Sequence, residues 1–379
     1  MCREPLSRSN VRIGTSTDDV RRRNLSVVLT LVHRQRALSR AELTRRTGLS
    51  RSTIKDLVEE LTAGGLVEES VPASTQVGRP SPIVRPQTRM LAVAVNPEND
   101  AITVGVVALG GRVLRVVRRA TGTVPTAAQA VAIAAEAIAG IRDALDPGQS
   151  VMAVGVAVPG LVHAPGSMVS LAPNLNWHDE EIGRMLSAAT ELPVFAANDA
   201  NTGAVAEHLF GNHVNAHHMI YVNGGASGIG AGFVVAGQLL EGAAGYAGEL
   251  GHTFVGGAGA CHCGRIGCLE TEVRRDRGDL DRQAQYLGIA LGNAVNMLNP
   301  ELIVLGGFLA EFPARAPAVL GDAVARHSMR APHDLVRIVP ASLGSQTLMI
   351  GAAELAFAGL LADPAAWYQQ CVDRDGTAG

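Results

Sequence analysis

Three cysteines fall within eight residues in Cys261-His262-Cys263-Gly264-Arg265-Ile266-Gly267-Cys268, and His252 precedes them. Thiolates and imidazoles are the ligands of a structural Zn2+, and glycines at this density let the backbone wrap an ion. Tetrahedral closure needs a fourth donor, which His252 or His262 can supply. Four protein ligands leave no open position for an activated water, so the expected zinc is structural. Buried reduced cysteines are the alternative, because Cys2 and Cys371 show that isolated cysteines occur in this chain. A second set of groups surrounds the motif. Asn198-Asp199 ends the apolar run 194–197, Glu249-Leu250-Gly251-His252 follows a glycine-rich stretch, and Glu270 comes just after Cys268. Carboxylates, an amide and an imidazole at strand ends suit a polyhydroxylated ligand, since every hydroxyl both donates and accepts. Singly, each has an ordinary reading: Asp199 as a helix cap, Glu249 as a surface charge, Glu270 as part of a solvated turn.

These groups need a scaffold that brings them to one place. Strands are expected at 91–95, 102–108 and 113–118, then a helix over the alanine-rich 127–145 and a strand at 152–158. A similar order restarts near His218, with strands at 219–222, 230–235 and 238–240, and a helix at 283–297 before a strand at 302–305. This α/β pattern, stated twice, predicts two lobes of like topology, although the halves share no sequence identity.

Charge sets the first part of the chain apart. Of 379 residues, 1–90 hold 16 Lys/Arg against 9 Asp/Glu, whereas 91–379 hold 16 against 26. A basic head on an acidic body fits a nucleic-acid module joined to a small-molecule module. In the head, apolar residues recur at helical spacing from Asp18 to His33, with Asp18 or Asp19 as cap. Ser39-Arg40-Ala41-Glu42 reads as a capping box opening a helix that ends at Gly48, and Ser50 caps a third helix over 51–63. Arg51, Ser52, Thr53 and Lys55 cluster at its first turn, the position from which a helix-turn-helix reads a major groove. Residues 64–69 and 83–85 can pair as a wing around Gly78-Arg79-Pro80, where Arg79 can enter a minor groove. Lys55 is the sole lysine, which excludes a P-loop and any Schiff base elsewhere. Apolar runs are broken before the roughly 18 residues that span a bilayer, as by Glu136, and the arginines from Arg3 to Arg23 leave no signal-peptide core. A cytoplasmic chain without membrane contact or disulfides is expected.

The motifs resemble those of the ROK family (repressors, open reading frames and sugar kinases), in particular its regulators of the xylose and N-acetylglucosamine repressor type. The head carries Ser39-Arg40-Ala41-Glu42-Leu43, Gly48-Leu49-Ser50 and Gly78-Arg79-Pro80. The body carries Ala157-Val158-Pro159-Gly160, Asn198-Asp199, Gly248-Glu249-Leu250-Gly251-His252, the cysteine motif ending in Glu270, and Leu298 to Gly307. The resemblance implies a winged helix-turn-helix, mainly α, followed by a two-lobed α/β body of the actin-like, ribonuclease H-like sugar-kinase fold. The expected divisions are a flexible tail 1–17, the DNA-binding domain 18–88, the first lobe 89–200, the second lobe with the zinc motif 201–362, and a C-terminal tail 363–379. It further implies zinc on His252, Cys261, Cys263 and Cys268. A hexose or hexose derivative would be held by Asn198, Asp199, Glu249, His252 and Glu270, with Gly160 behind the ring. The implied partners are operator DNA, a hexose or hexose-phosphate effector, and further copies of the chain in a homodimer or dimer of dimers.

In the family's kinases the counterpart of Asp199 is the general base, and a D-x-G-G-T turn admits the ATP phosphates. Here that turn reads Asn96-Pro97-Glu98-Asn99-Asp100, which lacks the aspartate, an amide hydrogen and a glycine. The second loop, Gly224-Gly225-Ala226-Ser227-Gly228-Ile229-Gly230, is better preserved. The expectation is a sugar-responsive DNA-binding regulator, a repressor of carbohydrate metabolism genes, that lacks a competent ATP phosphate loop and is not an enzyme; a ROK sugar kinase fused to a DNA-binding head is the alternative. The stretch 271–285 is shorter and more charged than family members carry there, and is expected to be a solvated connection.

Overall fold

The computed structural model describes residues 16–71, 81–163, 166–276 and 278–367. They form two compact units, one of residues up to Arg85 together with those from Gly359, the other Pro86–Ala358. In the first unit, helices α1 (Thr17–Gln35), α2 (Arg40–Thr47) and α3 (Arg51–Ala63) accompany a small sheet of order β1-β3-β2, from Leu38–Ser39, Val67–Ser70 and Ile83–Pro86. Leu25, Leu29, Leu43, Ile54 and Leu61 are buried in its core, each side chain worth about 1.5–3 kcal/mol of transfer free energy. Ser16, not Asp18 or Asp19, caps α1, and Asp19 completes a capping box with it. Ser39 caps α2 as expected, but Glu42 does not return the bond. Its carboxylate receives Arg45 (2.5 Å) and Arg46 (2.7 Å), whose hydrogen bonds hold its pKa down at about 2. Residues 364–367 form a helical turn, and Asp363 just before it accepts from Arg22 of α1.

The second unit is built on two five-stranded sheets. One has the order β11-β7-β4-β5-β6, from β4 (Met90–Pro97), β5 (Ala101–Ala108), β6 (Arg112–Ala120), β7 (Ser150–Val158) and β11 (Val194–Asn198). The other has the order β14-β13-β12-β15-β16, from β12 (Met219–Gly225), β13 (Gly228–Val235), β14 (Gln238–Leu239), β15 (Leu302–Gly307) and β16 (Arg337–Pro340). In each, three consecutive strands run antiparallel and two more are added in parallel beside the first. The expected duplication of topology is therefore present strand for strand. A three-stranded sheet, β8 (Leu161–His163), β9 (Met168–Ala172) and β10 (Trp177–Glu180), extends the first lobe.

Helices α4 (Ala127–Asp143) and α5 (Ile182–Thr190) cover the first sheet, while α7 (Leu269–Arg275), α8 (Leu280–Leu298) and α10 (Pro317–His327) build the core of the second lobe; α9 (Phe312–Arg315) and α11 (Arg330–His333) are single turns. Helix α6 (Asp199–Phe210) leaves the end of β11, and α12 (Thr347–Ala362) closes the set. The helical stretch Gly344–Ala362, which contains α12, is long and apolar enough to cross a membrane by length and composition, yet Met349, Ile350, Ala353 and Phe357 are buried in the protein. Its close approach depends on Gly155 of β7, where a Cβ would stand 1.7 Å from the Ala352 carbonyl oxygen.

Candidate functional site

Between the two lobes lies a cavity of about 310 Å3, lined from the first lobe by Gly160, Asn174, Asn198 and Asp199 and from the second by residues 227–231, Glu249, His252, Cys263, Arg265 and Glu270. Parallel strands β7 and β11 point their carboxyl ends at it, the usual location of ligands on such sheets. Asn198 fixes this wall. Its Oδ1 caps α6 by accepting the Asn201 amide (3.0 Å), while its Nδ2 donates to the Gly160 carbonyl (3.0 Å). Asp199 follows at the first helical position, with Oδ1 accepting from the Ala200 amide (2.8 Å). Burial pushes the Asp199 carboxyl up to about 7; the Ala200 hydrogen bond opposes this, and the charges of Glu249 and Glu98 add to it.

The opposite wall is irregular. Glu249 precedes the 3-10 turn Leu250–His252, which presses on β13 so closely that a Cβ at Gly251 would stand 1.8 Å from the Ile229 carbonyl oxygen. Burial raises the Glu249 pKa; the nearby His252 counteracts and Glu270 reinforces the shift. His252 Nε2 lies 3.9 Å from Glu249, while its Nδ1 turns the other way, 3.6 Å from Cys261 Sγ. Cys263 and Cys268 place their sulfurs 3.7 Å apart. The four donor atoms of His252, Cys261, Cys263 and Cys268 lie within 4.8 Å of one another and could hold a metal ion. His262, the other candidate for the fourth donor, is exposed and outside this group. Burial, then hydrogen bonds with Cys263 and Cys261, pushes the Cys268 thiol up to about 12, a shift that a bound divalent cation would reverse.

Glu270 joins the two centres. Only 5% exposed, it accepts the Ile229 amide through Oε2 (3.3 Å) and sets Oε1 3.4 Å from Cys261 Sγ and 4.0 Å from His252 Nδ1. It lies in the first turn of α7, so the expected solvated connection after Glu270 is instead a helix up to Arg275. Glu272 is buried there to accept the Gly259 amide (2.6 Å), Val273 is in the core, and Arg274 donates to the Ala226 carbonyl (2.6 Å). All six residues expected around a sugar are thus brought to one cavity. Ser227 of the second glycine-rich loop also lines it, as do Asn174 and Arg265, which are not among the expected sugar-binding residues. The turn-forming Pro173 before Asn174 was the available signal.

At the first hairpin, Asn96 is 5% exposed and donates to the Ala157 carbonyl (2.8 Å), and the Glu98 amide closes a tight turn on Ala101 (2.8 Å). In the head, Arg51, Ser52 and Lys55 are exposed at the start of α3; Ser52 and Thr53 share hydrogen bonds with the capping Ser50, and Lys55 pairs with Glu59 (3.2 Å). Arg79 lies outside the described residues.

The model of the ROK family matches residues 93–274 and 278–358. The chain belongs to the ROK family. The xylose repressor of Bacillus subtilis is 27% identical over 372 residues, covering 89% of this chain and 95% of its own. Among solved structures, a ROK family transcriptional regulator, homolog of the E. coli MLC protein, has a TM-score of 0.74 at 24% identity over 90% of this chain and 97% of that one. A ROK family glucokinase from Streptomyces griseus, in complex with glucose and AMPPNP, has a TM-score of 0.60 at 26% identity over 71% of this chain and 100% of that one. This likeness corrects one expectation. The altered first hairpin predicts a chain that is not an enzyme, but a sugar kinase aligns over 71% of this chain and the whole of its own, so that exclusion does not stand. ROK-family sugar binding, in regulation or in phosphoryl transfer, is the function class that the fold and relatives support.

Proposed function

We propose that the chain is a carbohydrate-responsive DNA-binding regulator whose ROK body binds a hexose or hexose derivative. The observation that carries this reading is coverage. The B. subtilis xylose repressor aligns over 89% of the chain, while the glucokinase structure covers 71%. The basic head, with α2, the Gly48 turn, α3 and the β2–β3 pair, supports a winged helix-turn-helix that sets Arg51, Ser52, Thr53, Lys55 and Arg79 against operator DNA. Two heads in a homodimer would read two half-sites, and sugar would act by its differential affinity for two arrangements of the body. DNA upstream of the chain's own gene should be retarded by purified protein, and a hexose panel should change the retardation; absence of any DNA binding at low salt would refute the reading. Lys55→Ala should lower the salt slope of binding by about one if Lys55 meets a phosphate. An unchanged slope removes Lys55 from the interface.

The metal is read as zinc in a structural role. Bonds of about 2.3 Å to sulfur and about 2.05 Å to nitrogen at tetrahedral angles put two sulfurs ~3.8 Å apart and a sulfur and a nitrogen ~3.6 Å apart. The observed 3.7 Å for Cys263 and Cys268, and 3.6 Å for Cys261 and His252 Nδ1, fit that cage. Zinc there would supply no Lewis acid to a ligand; it would hold the His252 ring so that Nε2 faces the cavity.

Asp199 favours a second reading alongside the first, ATP-dependent phosphorylation of the bound sugar. A carboxyl with a pKa of about 7, in a cleft between the lobes, is suited to take a proton from an attacking hydroxyl near neutral pH. A coupled ATPase assay over the hexose panel tests it, with Asp199→Asn as the variant that should abolish turnover.

A further inference from the structure

Two hydrogen bonds run from the first lobe to the second beside the cavity. Asn174 stands on the 3-10 turn Pro173–Leu175, anchored by buried Leu175 and by Trp177, whose indole donates to the Pro125 carbonyl (3.0 Å). Its Nδ2 donates to the Ser227 carbonyl at the tip of the β12–β13 hairpin. On β9, Ser170 Oγ shares a hydrogen bond of 2.8 Å with Tyr246 Oη, on the segment between β14 and the Leu250–His252 turn. Each second-lobe partner sits on a segment that also serves a carboxylate of the site. Ser227 is two residues from Ile229, which holds Glu270, and Tyr246 is three residues from Glu249. None of these four residues belongs to the hydrophobic core of either lobe, so the links can open without unfolding a lobe.

We propose that Asn174 and Tyr246 are positioning residues that clasp the two lobes over a bound sugar and set how long it stays. The proposal rests on the reading of the cavity as a sugar site. A ligand held by walls from two lobes leaves when the walls separate, so the clasp acts on dissociation more than on association.

The test uses the full chain with D-glucose, D-xylose and N-acetylglucosamine as probes. Asn174→Asp keeps the shape and removes the donor; Tyr246→Phe and Ser170→Ala remove the other bond from either side. For a probe that binds the wild type, Asn174→Asp or Tyr246→Phe should speed dissociation roughly 3- to 10-fold, the factor of one ordinary hydrogen bond, with association unchanged. Ser170→Ala should add nothing to Tyr246→Phe. Unchanged dissociation in both variants overturns the clasp and leaves the sugar site standing. If no probe binds the wild type, the sugar reading fails, and amide exchange in the sugar-free protein decides the clasp. Exchange at 226–229 should quicken in Asn174→Asp and at 243–248 in Tyr246→Phe; unchanged exchange overturns it.

Discussion

In the first lobe Asn198 and Asp199 sit where β11 turns into α6, and the helix start itself holds them. In the second lobe Glu249 and His252 lie on a short 3-10 turn, and Glu270 follows the cysteine motif, where two isolated bridges are the only strand pairing among the described residues 250–270. The strand order of the lobes is the same. What differs is the source of rigidity: regular secondary structure on one wall, and on the other backbone crowding together with a cluster of one histidine and three cysteines that could hold a metal ion. A wall of the first kind keeps its geometry as long as its sheet is folded. The second kind keeps its geometry only while its cross-links persist.

If the cluster holds the proposed zinc, its removal should break this comparison most strongly. Cys268→Ser, or a chelator, is expected to cost up to roughly 10 kcal/mol of binding free energy that otherwise supports the second lobe. Metal analysis should show loss of the ion, thermal unfolding should begin in the second lobe, and sugar affinity should fall. Affinity that survives complete metal removal would mean that the irregular wall holds its shape unaided.

Where rigidity comes from also decides what could be read in advance. The strands of both lobes announced themselves because buried strands need continuous apolar runs, and residues 91–95, 152–158 and 219–222 supply them. The cysteine motif was legible because few other arrangements need three thiols at that spacing. Helix α7 was not: Thr271-Glu272-Val273-Arg274-Arg275 looks solvated until Glu272 meets the Gly259 amide, a contact made by the fold and not by neighbours in the chain. Glu42 departs from the capping box for a related reason, since its carboxylate accepts from Arg45 and Arg46 and not from the cap amide. Asn174 lies 53 residues from its partner Ser227, beyond the reach of any local pattern. The exclusion of enzymatic activity failed because one hairpin weighs little against a fold that a glucokinase shares over 71% of this chain.

Asp199 gives the next effect in size. Its pKa of about 7 in the folded chain lies above the ordinary carboxylate value near 4, so the folded state binds more protons than the unfolded state between those pH values. Stability should therefore fall as pH rises from about 4 to about 7, by at most about 4 kcal/mol, and level off above. Asp199→Asn should flatten that slope in denaturant titrations at a series of pH values. If the body phosphorylates a sugar, turnover should rise with pH through the same window, because the base acts when deprotonated. A slope that persists in Asp199→Asn would assign the titration to another group.

Two alanine substitutions separate the walls at a smaller cost. At Gly155 a Cβ meets the Ala352 carbonyl oxygen at 1.7 Å, and at Gly251 it meets the Ile229 carbonyl oxygen at 1.8 Å. Neither neighbour is a side chain that can swing aside, so each substitution should cost about 1–3 kcal/mol through backbone displacement. The consequences should differ although the clashes are alike. Gly155→Ala moves α12 off a sheet whose strand and helix ends still fix Asn198 and Asp199, so thermal stability should drop while the sugar affinity of the folded fraction stays. Gly251→Ala moves the turn that bears Glu249 and His252, which no regular element restores, so affinity and metal retention should fall together with stability. Equal losses of affinity in the two variants would show that the walls are coupled, and that the rigidity of the first depends on the second.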